Sequence, residues 1–167
     1  MDVINKINLL KIIANEFNEA GVTWSLGGSM LLYFKGITKE FNDIDILIID
    51  KDVLKVKKIM TKLKAELQPF TPKTKYKAKI FLEYKISGID LDIMAGFTIV
   101  NNGIDYDCSL KPNQIIEYYD LDGEKIPLQS IDLWLKYYKL MGRESKVSMI
   151  ENAYMRLILK RLLFQKW

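Results

Sequence analysis

Two Asp-x-Asp pairs are the residues in this chain best placed to do chemistry. Asp43 and Asp45 open the apolar run DIDILII, residues 43–49, and Asp90 and Asp92 lie within GIDLDIMAGF, residues 88–97. In a strand, residues i and i+2 share a face, so each pair projects together while its apolar neighbours point the other way. Two carboxylates held close repel one another, and burial raises at least one pKa unless a cation compensates. A hard divalent cation such as Mg²⁺ supplies that charge and prefers oxygen ligands. One such pair alone fits an exposed strand end equally well, satisfied by water or a lysine. If the two strands are neighbours, up to four carboxylates converge. Three suffice for two metal ions about 3.5–4 Å apart, the arrangement used for in-line phosphoryl displacement.

A second feature lies some fifteen residues ahead of the first pair: Gly27-Gly28-Ser29, following the β-rich run Val22 to Leu26. Glycine lets backbone approach a ligand closely, and the first N–H groups of a following helix are unsatisfied and suited to a phosphate. Ser29 adds a hydroxyl. A tight turn with a serine N-cap is the plain alternative. Taken together, the turn would hold a nucleotide's phosphates and the aspartates the metals that bridge them, both meeting at one edge of the sheet. On this reading Gly28→Val blocks the phosphate site and leaves the fold intact.

Composition narrows the chemistry. The chain has no histidine, which removes imidazole acid–base catalysis, histidine zinc sites and Ser-His-Asp triads. Catalysis must run on carboxylates, hydroxyls, amines and bound metal. One cysteine, Cys108, cannot form an internal disulfide. With no signal-like N-terminus and no apolar run of membrane-spanning length, the expected compartment is the cytoplasm and no membrane association is expected. The net charge of +4 is uneven, with 11 lysines against three acids between Lys51 and Lys85. That segment could attract RNA, or it could be the solvated face of a helix. In the tail, Gly142-Arg143-Glu144-Ser145-Lys146 starts a helix with two cations that could meet phosphate or simply pair with Glu144 and Glu151. Trp134, Tyr137 and Tyr138 have the spacing of a buried helix face rather than a base-stacking platform.

These residues need elements to position them. At 167 residues the chain is expected to be a single domain. Asp2 caps a first helix with the stripe Val3, Ile7, Leu10, Ala14, Phe17, ended by Gly21. A short strand leads into Gly27-Gly28, and a helix from Ser29 to Phe34 closes at Gly36. The 43–49 run is a strand. Asp50 caps a third helix with the stripe Val53, Val56, Met60, Leu63, Leu67, and Pro69 and Pro72 mark a turn. Two strands over 77–86 and 89–100 form a hairpin about Ser87-Gly88. Residues 101–123 are mixed, 124–128 a short strand, and Ser130 starts a helix with Ile131, Trp134, Tyr138 and Met141 inward. Gly142 breaks it, and a last helix runs from about Ser145. The order predicts one α/β or α+β domain, with a core at about 22–100 and C-terminal helices at about 130–166.

Gly27-Gly28-Ser29, then Asp43-Ile44-Asp45, then a later strand acid resembles the signature of the nucleotidyltransferase superfamily typified by DNA polymerase beta, whose small members include minimal and antibiotic nucleotidyltransferases. The likeness covers about 22–97, and the segment IPLQSIDLWLKYYKLMGRESKVSMIE is similar to the C-terminal helices of bacterial members. The resemblance implies an α+β nucleotidyltransferase fold, a small mixed sheet flanked by helices. It implies that Asp43, Asp45 and Asp92 ligate two Mg²⁺ or Mn²⁺ ions and that Gly28 and Ser29 hold the triphosphate of an NTP, with ATP the expected one; Gly27 in the same turn and Arg143 and Lys146 in the tail are further candidates for contact with the nucleotide. Asp90 is then a neighbouring group or the base for the acceptor hydroxyl. The implied activity is transfer of a nucleoside monophosphate to a hydroxyl of a small molecule or protein, with release of pyrophosphate. Nucleic acid is the less favoured acceptor, since no nucleic-acid module is evident. The alternative is a non-catalytic nucleotide- or partner-binding protein of the same fold, such as a toxin–antitoxin component.

Overall fold

A computed structural model describes residues 3–164. The helix α1, Val3–Glu19, buries Leu9, Leu10, Ile13, Ala14 and Phe17, a stripe with the helical period. The predicted cap, Asp2, lies outside the described residues. After β1 (Trp24–Leu26) come α2 (Gly28–Phe34) and β2 (Ile44–Ile48), then α3 (Val53–Lys62) and the two-residue β3 (Glu66–Leu67). The long hairpin of β4 (Tyr76–Ile86) and β5 (Ile89–Asn101) follows, then β6 (Ile104–Asp107), β7 (Glu117–Leu121) and β8 (Glu124–Leu128). The chain finishes with α4 (Ile131–Leu140) and α5 (Glu144–Phe164). No helix among the described residues is long and apolar enough to cross a membrane.

All the strands join one mixed sheet in the order β3-β4-β5-β2-β1-β8-β7, with β6 paired to the far half of β5. The pairs β2–β5 and β1–β8 are parallel and the others antiparallel. Ile44, Ile46 and Ile48 of β2 and Leu91, Ile93 and Ala95 of β5 are buried in matched positions, a continuous apolar layer. With α1, α2 and α3 packed around it, this layer is the core.

Three expectations need correction. The site does not lie at an edge of the sheet: β1, β2 and β5 are interior strands, so it lies at their ends. Asp50 does not cap α3. It opens a 3₁₀ turn, Asp50–Asp52, makes no capping hydrogen bond and pairs instead with Lys79 at 2.6 Å. The buried Asp52 takes the fixing role, accepting from the Thr23 N–H at 2.8 Å and facing Lys55 at 3.3 Å, which ties the start of α3 to the approach to β1. Finally, α3 stops at Lys62, because Lys64 turns left-handed (φ 56°) and the Ala65 N–H bonds back to the Met60 carbonyl. Leu67 is therefore an exposed strand residue. The mixed 101–123 segment supplies β6 and β7.

Candidate active site

Parallel pairing of β2 with β5 creates the site. Register sets Asp45 directly beside Asp92, and Asp43 precedes β2 on the same side. Oxygens of Asp43, Asp45 and Asp92 lie within 4.8 Å of one another, the one such acidic group among the described residues. The isoleucines between them are buried on the opposite face, as the period of two requires. Burial pushes the Asp45 carboxyl well above the usual carboxylate range, and Asp43 and Asp92 push it further. Burial also lifts Asp92 to about 6, with Asp43 and Glu83 adding to it. Three oxygen ligands this close, short of positive charge, fit a hard divalent cation, Mg²⁺ or Mn²⁺.

Asp90 does not join them. Its rung lies one beyond the first β2–β5 pair, Ile44 with Leu91, where the strand pairing has ended, and it is not among the acids that converge. Its side chain is 66 % exposed and pairs with Lys85 at 3.2 Å. Its negative charge adds to the forces that raise the Asp92 carboxyl. The fourth acid at the site is instead Glu83, which β4 sets opposite Asp92. Glu83 already has partners: Lys73 donates to it at 2.9 Å and the Thr71 N–H at 2.7 Å. Lys73 thereby stands close enough for its charge to oppose the raised pKa values of Asp45 and Asp92. Periodicity gave no hint of Glu83 or Lys73, because only the β4–β5 register and the turn before β4 bring them here.

The two adjacent glycines have separate structural reasons. A Cβ on Gly27 would lie 2.5 Å from Cζ2 of Trp134. Gly28 has φ +59°, and a Cβ there would overlap the Asp45 carboxylate. The turn before α2 is thus pressed against the metal-ligand candidate itself, and the Gly27 N–H donates to the Asp45 carbonyl at 2.8 Å. Gly28→Val would strain the backbone and displace the Asp45 side chain, so its effect would not be confined to a phosphate site.

A cavity of about 160 Å³ opens beside the carboxylates. Gly28, Ser29, Asp43 and Asp45 line it, as do Arg143 and Lys146 from the α4–α5 corner. Arg143 opposes the raised pKa of Asp45. The aromatic residues of α4 prove to be core, as their spacing implied: Trp134, Tyr137 and Tyr138 are each at most 3 % exposed. Trp134 and Tyr138 nevertheless also line the cavity, together with Tyr76 of β4. Trp134 is fixed by its Nε1–H, which donates to Gln129 at 3.1 Å, and Gln129 donates in turn to Gln114 at 3.2 Å. Burial and the carboxylates push the Tyr76 hydroxyl up to about 12, so it remains a donor.

No family model matches the chain and no curated protein matches it. Solved structures do. A proposed nucleotidyltransferase of Thermotoga maritima, TM1012, superposes with a TM-score of 0.71 over 93 % of this chain and 96 % of that one, at 22 % identity. The chain has the nucleotidyltransferase fold. The antibiotic-resistance factor ANT(2'')-Ia matches with a TM-score of 0.58 over 99 % of this chain and 98 % of that one, at 14 % identity. The lincosamide antibiotic adenylyltransferase LnuA, solved with lincomycin bound, gives 0.58 over 86 % and 92 %, at 22 % identity. These three matches run over 86–99 % of this chain.

Proposed function

We propose that the protein is a metal-dependent nucleotidyltransferase that moves a nucleoside monophosphate from an NTP, ATP first among the candidates, to a hydroxyl of a small molecule. The observation that carries this reading is the convergence of Asp43, Asp45 and Asp92 beside a cavity walled by Gly28 and Ser29, within this fold. Asp43, Asp45 and Asp92 would hold Mg²⁺ or Mn²⁺. Bound there, divalent metal neutralises the phosphates and stabilises the charge of the displacement. Gly27, Gly28 and Ser29 would bind phosphate through backbone N–H groups and the serine hydroxyl. Arg143 and Lys146 would offset the negative charge that grows on the departing pyrophosphate. Asp90, exposed and paired with Lys85, would tune Asp92 through its charge.

A small acceptor is favoured over nucleic acid because two of the matched proteins, ANT(2'')-Ia and LnuA, are concerned with antibiotics. The acceptor oxygen would bond to the α-phosphorus as the bond to the bridging oxygen breaks, releasing pyrophosphate, with the hydroxyl proton passing to solvent. The test is incubation with labelled NTPs, Mg²⁺ or Mn²⁺, and a panel of hydroxylated small molecules with cell extract, reading pyrophosphate and labelled acceptor. Asp92→Asn should abolish pyrophosphate release while keeping NTP affinity within several-fold. A wild-type protein that binds NTP and labels nothing would favour a nucleotide-binding protein without turnover.

A further inference from the structure

Among the described residues, one buried side-chain polar atom has no hydrogen-bond partner, the hydroxyl of Tyr138. The contrast within α4 is informative. Trp134 donates to Gln129, and Tyr137 is hydrogen-bonded to Cys108. The partnerless member is Tyr138, 2 % exposed, and it lines the cavity beside the carboxylates. A buried hydroxyl with no partner forfeits its hydration with nothing in return, so such groups call for an explanation. A ligand entering the cavity would supply the missing acceptor.

The surroundings define that acceptor. The charged groups acting on the hydroxyl are Asp45, Arg143 and Asp43, and burial and the two carboxylates keep the phenol protonated and therefore a donor. Neither carboxylate takes the hydrogen bond. An acceptor at home beside the Arg143 guanidinium, with Lys146 on the same cavity, is anionic. A nucleobase edge gains little from those two cations. In a triphosphate, the terminal pair of phosphates is the more negative part and the part on which charge accumulates during transfer.

We propose that Tyr138 is a nucleotide-binding residue whose hydroxyl donates to an oxygen of the pyrophosphate portion of the NTP, completing an anion subsite with Arg143 and Lys146. This rests on the nucleotide reading given above. Tyr138→Phe removes only the hydroxyl and keeps the ring that packs on Trp134 at 5.5 Å. Two measurements decide the proposal. Thermal unfolding without ligand should show the variant as stable as the wild type or more so, since an unpaired buried polar group is removed. Titration calorimetry should show Mg²⁺–ATP and Mg²⁺–pyrophosphate both weakened, by about ten- to a hundredfold, the range for a hydrogen bond to a charged oxygen. Unchanged affinity for both ligands would overturn the proposal. So would loss confined to ATP, which would place the hydroxyl on the nucleoside, and so would a clear drop in ligand-free stability, which would mark it as a structural group. A wild type that binds neither ligand would instead overturn the nucleotide reading, and this assignment with it.

Discussion

Asp92 stands between Asp45 on β2 and Glu83 on β4, and the pH response of the protein follows from how that row of acids is compensated. Glu83 has Lys73, while Asp45 and Asp92 have only more distant cations. The folded-state pKa of Asp92, about 6, is above its ordinary value of 3.8. A raised pKa means that the folded state holds the proton more tightly than the unfolded state. The resulting stability is present below about pH 4 and is lost as pH rises through about 6. The melting temperature of metal-free protein should therefore fall across that window, and Asp92→Asn should flatten the fall. Scanning calorimetry at a series of pH values checks this. Added Mg²⁺ or Mn²⁺ should restore the loss above pH 6, because on the proposed reading it would bind the ionised triad of the folded state. Asp45→Asn should raise the metal-free melting temperature, by removing a charge wedged against Asp43 and Asp92, and should abolish most of the metal-induced gain. A variant less stable than the wild type in chelator would contradict the repulsion inferred here.

At the scale of elements, the loop from β1 into α2 is held by steric contact as much as by conformation. Gly27 has an ordinary extended backbone, so Gly27→Ala should cost only the overlap with Trp134, about 1–3 kcal/mol for overpacking. Trimming the indole in a Gly27→Ala, Trp134→Phe double variant should recover part of that loss, and a denaturation cycle measures the coupling. Gly28→Ala differs because strain at φ +59° adds to the overlap with Asp45. It should cost about 1–3 kcal/mol in backbone strain alone and also blunt the metal-induced rise in melting temperature. Hairpins tell a related story. Ser87-Gly88 was legible as the β4–β5 turn, and both of its residues have positive φ. Asn102-Gly103 and Asp122-Gly123 have the same conformation and close the β5–β6 and β7–β8 hairpins. Asn-Gly and Asp-Gly are the strongest short hairpin signals, so the signal for β6 and β7 was present in the sequence. It was obscured because β6, IDYD, alternates over only four residues and β7, EYYDL, does not alternate, and both strands are almost wholly exposed.

Across the whole molecule, the lysine-rich segment changes meaning once folded. Lys55, Lys62, Lys73, Lys77, Lys79 and Lys85 each face an acid, several of them distant in sequence, such as Glu16 and Asp105. Four of these acids, Glu16, Asp105, Asp50 and Asp90, lie outside the segment, so part of its local excess of positive charge is offset. Labelled RNA should accordingly not be retained at about 0.15 M salt, where exposed charges more than about 8 Å apart are screened. Tight binding with a steep salt dependence would return the segment to consideration as a nucleic-acid surface.

The sequence by itself determined the local and the periodic. The helical stripes of α1 and α4, the Ser130 cap that accepts from the Leu133 N–H, and the projection of Asp43 with Asp45 each depend on residues a few positions apart. The nucleotidyltransferase resemblance was readable for the same reason, since its glycine–serine turn and its Asp-x-Asp pair are both local. Tertiary structure alone decided which of the acids converge. Strand register put Asp92 beside Asp45 and left Asp90 on an open rung with Lys85, although the two are chemically alike and two residues apart. It also brought Glu83, Lys73 and Tyr138 to the site, from a neighbouring strand, a turn and a helix over forty residues on. Period and propensity fix the face a residue takes on its own element, but neighbouring strands and overlying helices are chosen by the burial of the whole core.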